Sequence, residues 1–450
     1  MTGKRKRKLA MPDTLIIVAS VVLLVAILSW IIPSGTYDYQ EMNINGRIRN
    51  VAIDGTYHTI DKSEVTTTGF LGFFSVLYRG CVEAADVIFM ILCCCGTFGV
   101  VVKTGAFHAG IGTILKKLKG KEILLVPIIM MIFGLGGSVF GMASEFYGFY
   151  PLIVGLGVAL GYDAMFGFAI IAVGEFVGFM GATLNPYSVG IAQTISGVEL
   201  YSGTGYRAIC FVIFMAISII YVMVYGRKIK KNPGASVVFG EKNIHAFDRD
   251  ELNEYSFTLK DGLVLLDVLV VLVVLMLGLI KWGWDFPQLC GLFLLMSMIA
   301  AAICKWSPNK WCSEFIDSAK TAMWGCILTG IANAITVVMQ DAQIMDTVIY
   351  GLSNVLKNAP HAVSAQVMLV VQTLINFFIP SATGQASATM PIMAQLADII
   401  GVSRQTAVLA FQFGDGLSNI FWPTADIVII CGLGGISLQK WYKWFTPLFL

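Results

Sequence analysis

Four carboxylates of this 450-residue chain share one setting: Glu145, Glu175, Asp415 and Asp426. Each lies in or beside a short polar interruption of a long hydrophobic run. A carboxylate placed in a bilayer costs about 2.5–3.5 kcal/mol on insertion scales, so one retained there is wet, paired or functional. Hydroxyls and amides gather in the same interruptions. Ser138, Ser144 and Glu145 fall in a glycine-rich tip, and Thr183 and Asn185 in Thr183-Leu184-Asn185-Pro186. Ser381, Thr383 and Ser387 fall in the small-residue stretch 379–391. Asp415, Ser418 and Asn419 precede Pro423, and on a helix they share one face at i, i+3 and i+4. No lysine or arginine falls within these four segments. These eleven residues form the candidate substrate- or ion-binding site. An acidic site lined by amides and hydroxyls suits a positively charged solute, with Na+ or H+ as coupling ion.

Irregular backbone at membrane depth is tolerated only where it is buried in protein or lines a wet cavity. The elements around the interruptions must therefore be membrane helices. Hydrophobic residues make up 57% of the chain and charged residues 13%, against about 25% charged in soluble domains. The expected class is an all-α polytopic membrane protein. The net charge of +2 gives no reason to expect a nucleic-acid partner. The partners expected are the lipid bilayer and a small-molecule substrate. The ten cysteines lie mostly in or beside apolar runs, which argues against a disulfide framework. His58, His108, His245 and His361 fall outside the confident spans, so no metal or other cofactor is expected. No Ser–His pair in the core and no phosphate-cradling glycine loop suggests an enzyme or an ATP-driven pump. Gly414-Asp415 is faintly similar to an intramembrane aspartyl protease motif, but Gln412 occupies its first glycine position.

Spans are expected at 14–32, 84–102, 164–182, 208–225, 262–280, 287–304, 321–339 and 406–422. Residues 4–8 are basic, and basic clusters recur at 116–121 and 227–231. The positive-inside rule then puts the N-terminus in the cytoplasm of a cell membrane and leaves 33–69 as a polar external loop. Residues 123–161 and 363–400 have arms too short to cross, and read as re-entrant hairpins. Residues 164–195 and 406–436 read as broken helices. Lys103 and Arg79 read as snorkelling at span ends, and Arg404 as the anchor of an outer turn. An offset of about 240 residues carries Pro151 onto Pro391, Gly161 onto Gly401, Gly174 onto Gly414 and Glu175 onto Asp415. With one hairpin entering from each face, this is an inverted repeat: 1–231, a cytoplasmic linker 232–260, and 261–450. By the same offset the counterpart of 208–225 would begin where the chain stops, so a final helix would be missing. The bland alternative for the small-residue tips is close helix packing.

Three strings carry a family resemblance: 137–151, 181–192 and 412–419. Together they resemble YfcC-type carriers of the four-carbon-dicarboxylate anaerobic carrier group, in the ion transporter superfamily, over about 12–450. The tip Met142-Ala143-Ser144-Glu145-Phe146 differs from the more acidic tip associated with that group. The resemblance implies a secondary transporter with paired hairpins in a mobile domain, elevator-type motion, and a scaffold that forms a homodimer. Several such carriers resemble arginine–ornithine antiporters, so exchange of a basic amino acid is the expected activity. Transport of four-carbon dicarboxylates or other organic anions is the alternative, and a channel is a more distant one.

Overall fold

A computed structural model describes residues 13–44, 47–118, 122–241, 245, 257–357 and 363–450. The basic N-terminal run, Lys119, Lys121, His361 and residues 242–244 and 246–256 of the linker lie outside the described residues. The first half contains α1 (Thr14–Ile31), α2 (Phe70–Glu83), α3 (Ala85–Lys103), α4 (Ala106–Leu118), α5 (Leu125–Leu135), α6 (Phe149–Ala159), α7 (Ala164–Gly181), α8 (Val189–Ile195) and α9 (Thr204–Lys231). The second half contains α10 (Leu259–Lys281), α11 (Phe286–Ile303), α12 (Pro308–Lys320), α13 (Met323–Asp341), α14 (Met345–Lys357), α15 (Ser364–Phe378), α16 (Ala382–Ile399), α17 (Arg404–Gly416), α18 (Asp426–Gly434) and α19 (Leu438–Phe449). Among the described residues, α1, α3, α7, α9, α10, α11 and α13 are long and apolar enough to cross a membrane.

The element bounds recur about 240 residues apart. Both α6 and α16 end just before a turn and a capped helix start, at Ala159 and Ile399. Both α7 and α17 begin behind a side-chain cap, Asp163 accepting from Phe166 N–H and Ser403 from Thr406 N–H. Helices α4 and α14 precede the two hairpins at matching places.

Every residue of α7 is buried, and glycines set how closely its neighbours approach. A Cβ on Gly178 would stand 2.0 Å from the Gly134 carbonyl oxygen of α5. One on Gly157 of α6 would stand 2.7 Å from Gly167 Cα. One on Gly416, at the end of α17, would stand 2.4 Å from Met180 Cα. Backbone thus packs on backbone around α7 from three sides.

Two expectations change. The segment 33–69 is not irregular: β1 (Ser34–Thr36) pairs antiparallel with β4 (His58–Ile60), and β2 (Tyr39–Ile44) with β3 (Arg47–Ala52). The all-α expectation therefore holds for the helical body and misses this strand module. Asn45-Gly46 between two alternating runs is the hairpin signal the composition hid. The module is fastened to α14 by Asp346, whose Oδ2 accepts from Tyr37 N–H (3.0 Å) and Thr36 Oγ1 (3.1 Å). Tyr39 donates its hydroxyl to the same carboxylate at 2.8 Å. Burial first, then the nearby carboxylates, among them Asp346, hold the Tyr37 and Tyr39 phenols above the usual tyrosine range. The other change is in the second tip. The stretch 379–391 is irregular only to Ser381, which caps α16, and Pro391 lies inside that helix. Arg79 pairs with Asp341 at 2.5 Å rather than merely snorkelling, and Arg404 anchors its turn by pairing with Asp398 and donating to Ser196 O.

Replacing Gly178 by alanine should force α5 from α7 and cost about 1–3 kcal/mol, the usual penalty for overpacking. Gly351→Ala, where a Cβ meets nothing within 4 Å, should leave the melting temperature in detergent unchanged or raised. Equal melting temperatures for the two variants would refute the tight α5–α7 contact.

Candidate functional site

Both long helices near the acids stop in mid-course. α7 ends at Gly181 and resumes as α8, and α17 tightens through 417–420 before resuming as α18. Each break strands carbonyls behind it and amides ahead of it.

At the first break the side chains come from the first hairpin. Ser138 sits in a wide π-type turn between α5 and the tip, fully buried. Its Oγ accepts from Thr183 N–H at 3.1 Å and meets Thr183 Oγ1 at 3.1 Å. Its carbonyl accepts from Leu184 N–H at 3.2 Å. Asn185 Oδ1 accepts from Tyr187 N–H (2.9 Å) and Ser188 N–H (3.2 Å), starting the return of the helix. Gly141, at φ +70°, turns the tip back beside Asn185 Oδ1, where no Cβ would fit. Arg207, at the start of α9 and 1% exposed, closes the stranded carbonyls. Its Nε donates to Ala182 O (2.9 Å) and its Nη2 to Thr183 O (3.1 Å) and Thr204 Oγ1 (3.1 Å). Its Nη1 donates to Ser202 O at 2.8 Å.

At the second break the organising residue is Asn376, near the end of α15. Its Nδ2 donates to Asp415 O (2.9 Å), Asp415 Oδ1 (3.0 Å) and Asn419 Oδ1 (3.0 Å). All three residues are buried. Asp415 Oδ2 and Asn376 Oδ1 have no hydrogen-bond partner among the described residues. Ser418 instead turns its hydroxyl back to Gly414 O at 2.6 Å. Stranded carbonyls here are met by neutral donors: Trp441 Nε1 to Ile420 O and Tyr442 OH to Phe421 O, both 2.7 Å. Thr424 Oγ1 donates to Phe377 O at 2.7 Å.

Each hairpin also reaches the other half's break. Thr383, in the first turn of α16, donates to Tyr187 O at 2.9 Å. Tyr147, just after the first tip, donates to Asp426 Oδ1 at 2.7 Å. Asp426 opens α18, so its carboxylate is also placed at a helix start. Glu145 folds back, Oε2 accepting from Ala143 N–H at 3.0 Å, and its carbonyl faces Cys94 Sγ at 3.7 Å. Glu175 takes Tyr150 OH at 2.9 Å and leaves Oε1 without a partner among the described residues. Gln412 Nε2 donates to Phe179 O at 2.8 Å and ties α17 of the second half to α7 of the first.

Of the eleven candidate residues, Ser138, Thr183 and Asn185 gather at the first break, with Thr383 joined to it through Tyr187. Asp415 and Asn419 gather at the second, and Ser418 is beside them with its hydroxyl committed to backbone. Ser387 bonds Thr383 O within its own helix at 2.9 Å, Ser381 caps α16, and Ser144 is half-buried at the first tip. Sequence reasoning missed Asn376, Tyr147 and Arg207. An available signal was the spacing of Gln372 and Asn376, two amides one turn apart in an apolar arm. No cluster of three or more His, Cys, Asp or Glu among the described residues is arranged for a metal. The all-oxygen set of Asp415, Asn376 and Asn419 is of the kind hard cations accept.

A family profile described as C4-dicarboxylate anaerobic carrier (DcuC) matches residues 11–450. The chain is 32% identical to an Escherichia coli (strain K12) protein described as "Putative basic amino acid antiporter YfcC", over 98% of this chain and 94% of that one. It is 27% identical to an uncharacterized protein of Haemophilus influenzae, over 99% and 95%. Among solved structures it is similar to Neisseria gonorrhoeae MtrF, whose structure is described as illuminating a class of antimetabolite efflux pumps (TM-score 0.44, 16% identity, 98% and 92% covered). It is also similar to the Alcanivorax borkumensis YdaH transporter (TM-score 0.40, 15% identity, 97% and 95% covered).

Asn376→Leu strips the donor from Asp415 Oδ1 and Asn419 Oδ1 and leaves both buried. The expected loss is about 1–3 kcal/mol, read as a lower melting temperature in detergent. An unchanged melting temperature would show that the amide does not hold this break.

Proposed function

The chain belongs to the C4-dicarboxylate anaerobic carrier family, and on that premise we propose a secondary active transporter that exchanges a small basic amino acid by alternating access. It is an integral membrane protein of a transporter family. The observation that carries the substrate class is the acidic character of the breaks. Glu145, Glu175 and Asp415 are buried, Asp426 is half-buried, and Asp415 and Glu175 each keep an oxygen free of donors. Such oxygens favour an ammonium or guanidinium group, or a coupling Na+ or H+. The Escherichia coli relative's description as a basic amino acid antiporter points the same way.

In this reading the halves 1–231 and 261–450 form an inverted repeat joined by the 232–260 linker. The two hairpins and two broken helices form one moving unit, with the site where they meet. The recurrence of element bounds and the paired reaches, Thr383 to Tyr187 and Tyr147 to Asp426, support that arrangement. The remaining spans serve as a scaffold, homodimeric, in a cell membrane with the N-terminus in the cytoplasm. Four-carbon dicarboxylates are the second reading, favoured by the family's description and by the buried cation Arg207 at the first break.

Counterflow in proteoliposomes with labelled arginine, ornithine and succinate tests the choice. Arginine–ornithine exchange is expected, and uptake of succinate alone would overturn the basic-substrate reading. Asp415→Asn should lower exchange at least about tenfold, the scale of one lost charge-assisted contact, in protein that still elutes as a single folded species.

A further inference from the structure

The two breaks are built alike and charged unlike. At the first, the carbonyls left by α7 are capped by the guanidinium of Arg207. At the second, the corresponding carbonyls are capped by the neutral N–H of Trp441 and O–H of Tyr442. The returning half-helix is opened by an amide in the first case, Asn185, and by a carboxylate in the second, Asp426. The cross-reaches widen the difference. Thr383 brings a hydroxyl to the first break. Tyr147 ties the first hairpin's tip, where Glu145 stands, to the second break. The first break therefore gathers Ser138, Thr183, Asn185 and Thr383 around a buried cation. The second holds Asp415 and Asp426, with no cation among the described residues bonded to either.

We propose that the site is electrically polarised, so that a solute bearing both charges binds in one orientation. Its carboxylate is turned toward the first break and its cationic group toward the second. The structure assigns Arg207 as the specificity-determining residue at the anionic end. This rests on the amino-acid reading above and adds to it the need for a carboxylate on the substrate. Four of the five guanidinium N–H groups are used, all on neutral oxygens. Its charge meets no carboxylate in those bonds, and burial keeps water from screening it. Arg207 itself bonds backbone, so its action on a bound anion runs through the field it sets and through the break it holds in shape. Glu175 is the nearest opposing charge along α7. It lies two turns before the break, and its carboxylate is engaged by Tyr150.

The test compares arginine with agmatine, the same molecule without its carboxylate. In wild-type proteoliposomes agmatine should compete for labelled arginine uptake about tenfold to a hundredfold more weakly than arginine itself, the range for one interaction with a charged group. Arg207→Gln should raise the KM for arginine by a similar factor, leave inhibition by agmatine unchanged and so erase the preference. Arg207→Lys should retain it. Equal inhibition by agmatine and arginine in the wild type would overturn the proposal, and that measurement needs no variant to fold. Equal weakening of both ligands in Arg207→Gln would also overturn it and leave Arg207 as a cap alone. If the wild type exchanges neither arginine nor ornithine, the amino-acid reading fails and takes this orientation with it.

Discussion

A helix broken inside an apolar medium leaves carbonyls and amides that water cannot reach, and each must find a donor or acceptor in the protein. In this chain several of the carbonyls find theirs far from the break in sequence, while Gly414 O is met locally by Ser418. Arg207 closes Ala182 and Thr183 from the next long helix, and Trp441 and Tyr442 close Ile420 and Phe421 from the last one. Ser138 and Thr424 tie break to hairpin in the two halves. The breaks exist only because α9, α19 and the hairpins are in place. The stability of the helical body and the shape of the site are therefore one problem.

Close approach of backbones is the second condition. Side chains reach across the breaks at hydrogen-bond distance because Gly134, Gly178, Gly157, Gly167 and Gly416 let helix axes draw together around α7. Without a hydrophobic driving force between helices in lipid, such contacts and buried polar bonds carry the packing. The glycines have a functional meaning only through what they bring near: Gly416 lies next to Asp415, and Gly137 lies next to Ser138.

Much of this was legible in the sequence because membrane helices announce themselves by length and apolarity, and because a run containing Thr183–Pro186 or Ser418–Pro423 cannot continue as regular helix. The helix–turn–helix pairs α5–α6 and α15–α16 showed as apolar arms shorter than the spans. Other features depend on partners that no local pattern names. Asn376 is one amide in an apolar arm until Asp415 and Asn419 stand beside it. Arg207 falls at the edge of what reads as an outer loop, and only the fold turns it onto the end of α7. The strand module at 34–60 was hidden for a different reason. It is polar and short, and its hold on the protein lies about 290–310 positions later in the chain, in Asp346 and in bonds to Ala342 O and Thr347 Oγ1.

That last separation has a consequence for biogenesis. The segment around Tyr37 leaves the ribosome long before Asp346 does, and at about 5–20 residues per second the interval is on the order of tens of seconds. Through that time Tyr37 and Tyr39 lack the Asp346 carboxylate, and β1 and β3 lack α14 and α16, the helices they pack against. Docking of the strand module thus waits on α14 and α16, and the earliest extramembrane piece to be made is among the last to be secured.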